Sequence, residues 1–186
     1  MKLFIASDIH GSAYWNDLML EKFNTEGCDY LVLLGDILYH GPRNDLPRDY
    51  NPKSVISRLN PYSNKILCVK GNCESEVDSM VLDFNVQSEY LTIFDGSIVI
   101  CATHGHREVP KTADSQILLC GHTHVPLCEA RDNYQYINPG SVALPKESSP
   151  NSYIIYEKGK FTWHNLIDGR CYMEYTCGTA LSSSNR

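Results

Sequence analysis

The chain is 186 residues long and 42% of its residues are hydrophobic, which suffices for one well-filled core and favours a single domain over two. Its formal net charge is -6 at pH 7, whereas proteins that bind nucleic acid along an extended surface carry a basic face. We therefore predict no extended nucleic-acid surface. Phosphate chemistry in such a chain needs a local source of positive charge, of which a metal ion is the simplest.

Targeting segments and cysteine usage indicate the compartment. The N-terminal apolar run is short and is broken by Asp8, so it lacks the length and the cleavage site of a signal peptide. No later run approaches the length of a membrane span. The eight cysteines contain no CxxC pair. We expect a cytoplasmic protein with reduced thiols and without membrane association.

Buried strands are predicted in the first half of the chain. Short continuous apolar runs occupy 2–7, 30–34 and 65–69, and each run is closed by turn residues. The stretch 39–52 is rich in Gly, Pro, Asn and Asp without periodicity, which predicts a long surface loop. Loops of this length in compact domains are often functional.

Helices are predicted between these strands. Apolar residues recur at helical spacing from Trp15 to Phe23, and this helix should end near Gly27. Shorter helices are expected at 53–59 and 76–82. The alternation of strands and helices is typical of an α/β arrangement, in which polar residues gather at the strand ends.

The second half of the chain is mostly β. Predicted strands cover 91–94, 97–103, 116–120, 134–138, 153–157 and 161–166. The dipeptides Asp95-Gly96 and Lys158-Gly159 predict tight hairpin turns. We find no internal repeat and no linker.

These patterns define the domain organisation. We expect one domain over 1–175 and a polar, disordered tail over 176–186. The predicted fold class is mixed, with an α/β first half and a β-rich second half (α+β).

Polar residues that can bind metal follow the apolar runs. They are Asp8, His10, Asp36, Asn72, His104, His106, His122 and His124. Five of the seven histidines thus lie in D-x-H or H-x-H clusters, and we interpret His40 and His164 as structural or solvated. If the extended backbone persists to His10, Asp8 and His10 project to one side and reach one ion, although the triplet alone would equally fit Asp8 as a helix cap.

The number of donors indicates two metal ions. Seven of these residues, all except His106, are too many ligands for one ion that keeps positions open for a substrate. Two ions that share a carboxylate fit better. Two-metal sites hold their ions about 3.5 to 4 Å apart and stabilise both the attacking and the leaving oxygen in a displacement at phosphorus.

Five ordered motifs resemble those of the calcineurin-like metallophosphoesterase family. They are Asp8-x-His10, Gly35-Asp36, Gly71-Asn72, Thr103-His104-Gly105-His106 and Gly121-His122-Thr123-His124. The segments 6–12, 40–44, 71–78 and 138–142 are similar to those of small bacterial phosphodiesterases of the YfcE type. The resemblance covers nearly the whole chain apart from the last dozen or so residues.

The resemblance implies a four-layer α/β/β/α sandwich with a dinuclear metal site at the strand ends. It implies Asp8, His10, Asp36 and His124 as ligands of one ion, and Asp36, Asn72, His104 and His122 as ligands of the other. Spacing alone does not assign His122 and His124 to different ions. The family also implies that a metal-bridging hydroxide is the nucleophile, and the chain shows no Ser-His-Asp or Cys-His triad as an alternative.

One position departs from the family pattern. Many relatives have a histidine after the motif asparagine, where it protonates the leaving group, but this chain has Cys73 after Asn72. A thiol with an unperturbed pKa of about 8.5 is a weak donor, so His106 becomes the substitute acid, with orientation of His104 as its alternative role. Arg43, in the 39–52 loop, suits bidentate phosphate binding, although an arginine in a loop is more often solvated.

We expect a metal-dependent phosphodiesterase acting on a small phosphodiester. The catalytic residues predicted are Asp36, Asn72, Cys73, His106 and Arg43. Mn is the expected ion, with Zn, Ni or Fe as alternatives. Other interpretations are a phosphomonoesterase or protein phosphatase, a nuclease, which the acidic charge disfavours, and a non-catalytic scaffold like the retromer subunit that resembles this family. A homo-oligomer is possible, although no apolar interface stripe is apparent.

Overall fold

Two β-sheets pack face to face, and helices cover the outer side of one of them. The computed structural model describes residues 1–107, 116–131 and 133–178. In chain order the elements are β1 Lys2–Ala6, α1 Ala13–Glu26, β2 Tyr30–Leu33, α2 Pro52–Leu59, a 3-10 helix Asn60–Lys65, β3 Ile66–Cys68, α3 Asp78–Val81, β4 Tyr90–Asp95, β5 Ile98–Thr103, β6 Ile117–Leu119, β7 Pro126–Arg131, β8 Tyr134–Pro139, β9 Ser152–Glu157, β10 Lys160–Asn165 and β11 Cys171–Thr176.

Each sheet contains three adjacent parallel strands. The six-stranded sheet has the order β11-β10-β9-β1-β2-β3, in which β1, β2 and β3 are parallel. The five-stranded sheet has the order β4-β5-β6-β8-β7, in which β5, β6 and β8 are parallel. Because parallel strands end at the same edge of a sheet, the loops after β1, β2 and β3 are neighbours, and so are those after β5 and β6.

Alternate side chains along β1 pack into two different hydrophobic cores. Phe4 and Ala6 belong to the core beneath the helices, whereas Leu3 and Ile5 belong to the core between the sheets. All four side chains are fully buried. At roughly 1.5 to 3 kcal/mol for each large apolar side chain, this burial holds β1 at the centre of the molecule.

The first helix begins and ends at capping residues. Ser12 precedes α1, and its Oγ accepts a hydrogen bond from the backbone N–H of Trp15 at 3.4 Å. Gly27 follows the helix with a φ of 62°, a left-handed conformation that costs glycine little. The predicted end of the helix near Gly27 is confirmed.

The two-sheet α/β architecture predicted from the sequence is confirmed. A small buried cluster lies on the outer face of the five-stranded sheet. It consists of Cys101, Leu118, Cys120 and Tyr136. Among the described residues no helix contributes to this cluster. No helix in the described ranges has both the length and the apolar character that crossing a membrane requires.

The sequence does not predict β7 and β11, which lie at the outer edges of the two sheets. Most of their side chains are exposed or half-buried, so neither strand carries the apolar run that marks a buried strand. The predicted tail begins within β11, because Thr176 ends that strand and Cys177 N–H donates to Gly159 O at 2.8 Å. Residues 179–186 lie outside the described residues.

Candidate metal centre

Loops from both sheets bring the metal-ligand candidates together. Those after β1, β2 and β3 carry Asp8, His10, Asp36 and Asn72, and those after β5 and β6 carry His104, His106, His122 and His124. His124 Nε2 lies 3.2 Å from Asp8 Oδ1, and His104 Nε2 lies 3.5 Å from Asp36 Oδ2. The strand ends of the two sheets therefore meet at one place.

The backbone at this place is strained. Left-handed conformations, with φ between 50° and 67°, occur at Asp8, His10, Asp36, His122 and His124. The expected extended backbone from the first strand to His10 is therefore wrong, since β1 ends at Ala6. Each such residue costs on the order of 1 kcal/mol or more, and strain of this kind clusters at functional sites.

Asp8, His10 and His124 form one compact group of ligand atoms, which we call the Asp8 group. Asp8 Oδ1 lies 3.5 Å from His10 Nε2 and 3.2 Å from His124 Nε2. The two Nε2 atoms are 3.2 Å apart. All three side chains are buried, so water does not screen the contacts between them.

Backbone carbonyls determine which nitrogen of each histidine faces the site. The Nδ1 atoms of His10, His104 and His124 lie 2.8, 2.6 and 2.6 Å from the carbonyl oxygens of Tyr39, Leu34 and Leu144. Nδ1–H donates in each of these bonds, so Nε2 is the nitrogen that faces the site, and in the neutral ring it offers its lone pair to an ion. The Asp8 group then contains three acceptor atoms that face one another, and Asp8 Oδ1 has no hydrogen-bond partner among the described residues. A cation between these atoms resolves the conflict, so the group fits a divalent metal ion.

A second group lies next to the first and shares Asp36 with it. His104 Nε2 is 3.1 Å from Asn72 Oδ1 and 3.5 Å from Asp36 Oδ2. Asp36 Oδ2 is also 3.6 Å from His10 Nε2. The ring of His122 lies beside that of His104, with 5.1 Å between the centroids. Adjacent ligand groups that share a carboxylate are suited to a pair of ions.

The carboxylates shift the pKa values of neighbouring groups. Burial acts to lower the pKa of His104, but its contact with Asp36 and the negative charge of Asp8 raise this pKa to about 9. Burial acts to raise the pKa of Asp36, but His104 and a hydrogen bond from Cys73 N–H hold it below its usual value. The site therefore stabilises positive charge.

The two groups open onto a cleft of about 490 Å³. The residues that line it are Asp36, Asn72, His122, His124, Arg43, Asn44, Thr123 and Lys146. Arg43 thus lines the cleft from the 39–52 loop. Lys146 is missed by the sequence analysis because it lies in an aperiodic segment with no motif. A cleft of this size accommodates a small molecule.

Comparison with known proteins identifies the family. Residues 1–160 match the family model of the calcineurin-like phosphoesterase superfamily domain. The chain belongs to this family. It is 43% identical over 157 residues to phosphodiesterase YfcE of Escherichia coli strain K12, covering 82% of this chain and 85% of the relative. The family resemblance seen in the motifs is confirmed.

Solved structures agree with this assignment to the calcineurin-like phosphoesterases. The structure of YfcE, a phosphoesterase from E. coli, matches with a TM-score of 0.90 and 40% identity, covering 95% of this chain and 99% of that chain. Vacuolar protein sorting 29 from Cryptosporidium parvum matches with a TM-score of 0.63 and 18% identity, covering 95% of this chain and 98% of that chain. The latter similarity concerns the fold alone.

Glu74 supports the centre of this phosphoesterase and is missed by the sequence analysis. Its carboxylate accepts hydrogen bonds from Asp36 N–H at 2.9 Å, from Ile37 N–H at 2.7 Å and from Gly71 N–H. Burial and the charge of Asp36 raise the pKa of Glu74 to about 7, although the three donors act to lower it. A Cβ at Gly71 would overlap with Asp36 Oδ1, so only glycine fits there. The sequence signal that points to Glu74 is its position in the 71–78 segment, which is similar to that of the YfcE type.

The 138–142 segment acts on the ligands through their backbone. Ser141 Oγ donates to Asp8 O at 2.9 Å. Asn138 Nδ2 donates to Gly121 O at 2.7 Å, next to His122. Both donors are fully buried, so these bonds hold the two ligand loops in register.

Cys73 and His106, the two candidates for the leaving-group acid, have different surroundings. Burial and the charge of Asp36 raise the pKa of the Cys73 thiol well above its usual value, which makes it a weaker acid than its unperturbed pKa suggests. The ring of His106 lies 5.3 Å from that of His104, and its buried Nδ1 has no hydrogen-bond partner within the described ranges. Burial, followed by the neighbouring positive charges, lowers the pKa of His106.

Proposed function

We propose that this protein is a metal-dependent phosphodiesterase that hydrolyses small phosphodiesters in the cytoplasm. The observation that carries the proposal is the Asp8 group, in which three acceptor atoms face one another beside Asp36 and next to an open cleft. The E. coli relative with 43% identity bears the name phosphodiesterase. The cytoplasmic location is supported by Cys28, Cys68 and Cys120, which are buried as free thiols.

We further propose two sets of metal ligands. One set is Asp8, His10, Asp36 and His124, and the other is Asp36, Asn72, His104 and His122. Calcineurin-like phosphoesterases use divalent ions, and Mn is proposed here because the donors are carboxylate, amide oxygen and imidazole without a thiolate, with Zn, Ni or Fe as alternatives. When bound, such ions activate water as the nucleophile and stabilise charge on the phosphate.

Three side chains have distinct roles in metal and substrate binding. Asp36 links the two ligand sets, because its carboxylate lies within 3.6 Å of His10 Nε2 and 3.5 Å of His104 Nε2. Arg43 contributes to substrate binding from the wall of the cleft. Glu74 keeps Asp36 in place through the backbone N–H groups that it accepts.

Protonation of the leaving group is the step that these residues catalyse least well. Cys73 Sγ retains its proton because the pKa of the thiol is raised, so it does not transfer it readily to an alkoxide. His106, whose pKa is lowered, is the proposed alternative donor. The enzyme should therefore favour diesters whose leaving groups need little protonation.

A substrate screen tests the proposal. Purified protein reconstituted with Mn should hydrolyse bis(4-nitrophenyl) phosphate faster than 4-nitrophenyl phosphate, and chelation should abolish both activities. Preference for the monoester would indicate a phosphomonoesterase. Metal binding without hydrolysis of either substrate would support the scaffold interpretation and contradict the proposed activity.

A further inference from the structure

Two cationic side chains in the cleft have no acidic partner. Arg43 and Lys146 both line it, and neither takes part in an ion pair with any of the described residues. Among the described residues, the lysines and arginines that form ion pairs with Asp or Glu are Lys2, Arg58, Arg107, Arg131 and Lys160. In a chain with a net charge of -6, two unpaired cations that share one cleft indicate an anionic ligand.

The backbone that carries Lys146 is fixed to the metal centre. Lys146 N–H donates to His124 O at 3.3 Å. Lys146 O accepts hydrogen bonds from the backbone N–H and the Oγ of Ser149, at 3.0 and 2.6 Å. Glu147 and Ser148, between them, have left-handed φ values of 53° and 58°. Strained backbone that holds a cation beside a ligand histidine is typical of a positioned functional group.

The charge of a simple phosphodiester is already matched without these two residues. If two divalent ions were bound, their charge would be balanced by the carboxylates of Asp8 and Asp36, by one hydroxide ion and by the single negative charge of the diester phosphate. Arg43 and Lys146 then remain without a counter-charge. A substrate with one more anionic group supplies it.

We propose that Arg43 and Lys146 bind a second anionic group of the substrate, so that the enzyme prefers phosphodiesters that carry a further phosphate or phosphonate. The inference rests on the proposed phosphodiesterase function and narrows the substrate class of the same site. Lys146 is the specificity-determining residue in this scheme. It lies outside the ligand sets, so its removal should affect the second anion rather than the hydrolytic step.

A matched pair of substrates tests the proposal. We would compare 4-nitrophenyl ethyl phosphate with 4-nitrophenyl 2-phosphonoethyl phosphate, which share the leaving group and differ in the terminal phosphonate. The Mn-loaded wild type should show kcat/KM about fivefold higher for the phosphonate substrate, an effect near the upper end for one partly exposed charge pair. Lys146→Gln should remove most of this preference, and Lys146→Arg should retain it.

A lysine at the opposite edge of the sheet provides the control. Lys158 is exposed in the β9–β10 turn, beside the amino end of β1, so Lys158→Gln removes the same charge away from the cleft. It should leave kcat/KM for both substrates unchanged. The preference of the wild type should also fall as salt screens the contact.

The outcomes separate the two proposals. If the wild type hydrolyses neither substrate, the phosphodiesterase function fails. If it hydrolyses both with equal kcat/KM, or if Lys146→Gln lowers both equally, the inference is overturned while the function stands. Calorimetry supplies a readout besides activity: propane-1,3-bisphosphonate should bind the wild type about fivefold more tightly than propylphosphonate, and Lys146→Gln should lose this difference.

Discussion

His10 and His124 face each other through their Nε2 atoms at 3.2 Å, although 114 residues separate them in the chain. Each donates its Nδ1–H to a backbone carbonyl, so in the neutral rings neither Nε2 can donate to the other. The arrangement is stable with a cation between the rings.

The active protein should contain two divalent ions per chain. The ligand atoms form two adjacent groups that share Asp36, and each group is suited to one ion. Elemental analysis after reconstitution with Mn should give a ratio near two, and dialysis against a chelator should remove both the ions and the activity. Full activity of a chelated, metal-free sample would contradict the proposed metal centre.

Asp36→Asn should damage activity far more than Arg43→Ala. The amide of the variant weakens both ligand sets. The value of kcat should fall by about 100-fold or more, because even the loss of a residue that only supports metal ligands lowers metal affinity or activity by 10- to 100-fold. Arg43→Ala should mainly raise KM and should keep both ions. Steady-state kinetics combined with metal analysis checks this. Comparable losses of kcat in the two variants would mean that Asp36 does not link the two sets.

Metal affinity should increase with pH. The pKa of His104 is raised to about 9, so the metal-free protein keeps this proton at neutral pH and the ion must displace it. For each displaced proton the affinity should rise by up to about tenfold per pH unit and level off near pH 9. Calorimetric titrations with Mn in buffers of different ionisation enthalpy count the released protons. A dissociation constant that is the same at about pH 6.5 and pH 8.5 would contradict this account.

Cys73→His should help substrates with poor leaving groups. General acid catalysis typically contributes 10²- to 10⁴-fold, and the raised pKa of Cys73 leaves this contribution largely unused. In the wild type, log kcat should fall steeply as leaving-group pKa rises, and the variant should show a shallower slope. A shallow slope that is equal in both proteins would show that an acid is already present. His106→Ala would then be the variant that identifies it.

Glu74→Gln should weaken metal binding. The amide group cannot accept all three backbone N–H bonds, and a buried donor without a partner costs roughly 1 to 3 kcal/mol. We expect a 10- to 100-fold loss of Mn affinity, as for other residues that orient metal ligands. Glu76→Gln is the control, since Glu76 is exposed two residues away. Equal affinities for the two variants would show that Glu74 does not position Asp36.

The sequence by itself determined which residues could supply ligand atoms. A short apolar run followed by Asp, Asn or His is a local pattern, and burial of the run places the polar residue at a strand end whatever the rest of the chain does. This pattern does not predict the edge strands β7 and β11, because exposed strands need no apolar run. Their pairing with a neighbour decides their conformation.

Only the tertiary structure decided how these residues are grouped. His122 and His124 are two residues apart, yet left-handed backbone at both turns them to different neighbours: His124 lies against Asp8, and His122 lies beside His104. The positions of Glu74 and Lys146 also depend on the tertiary structure, because hydrogen bonds join them to the loops that carry Asp36 and His124. Such contacts join segments far apart in the chain, and their geometry depends on how two sheets pack, which local periodicity does not encode.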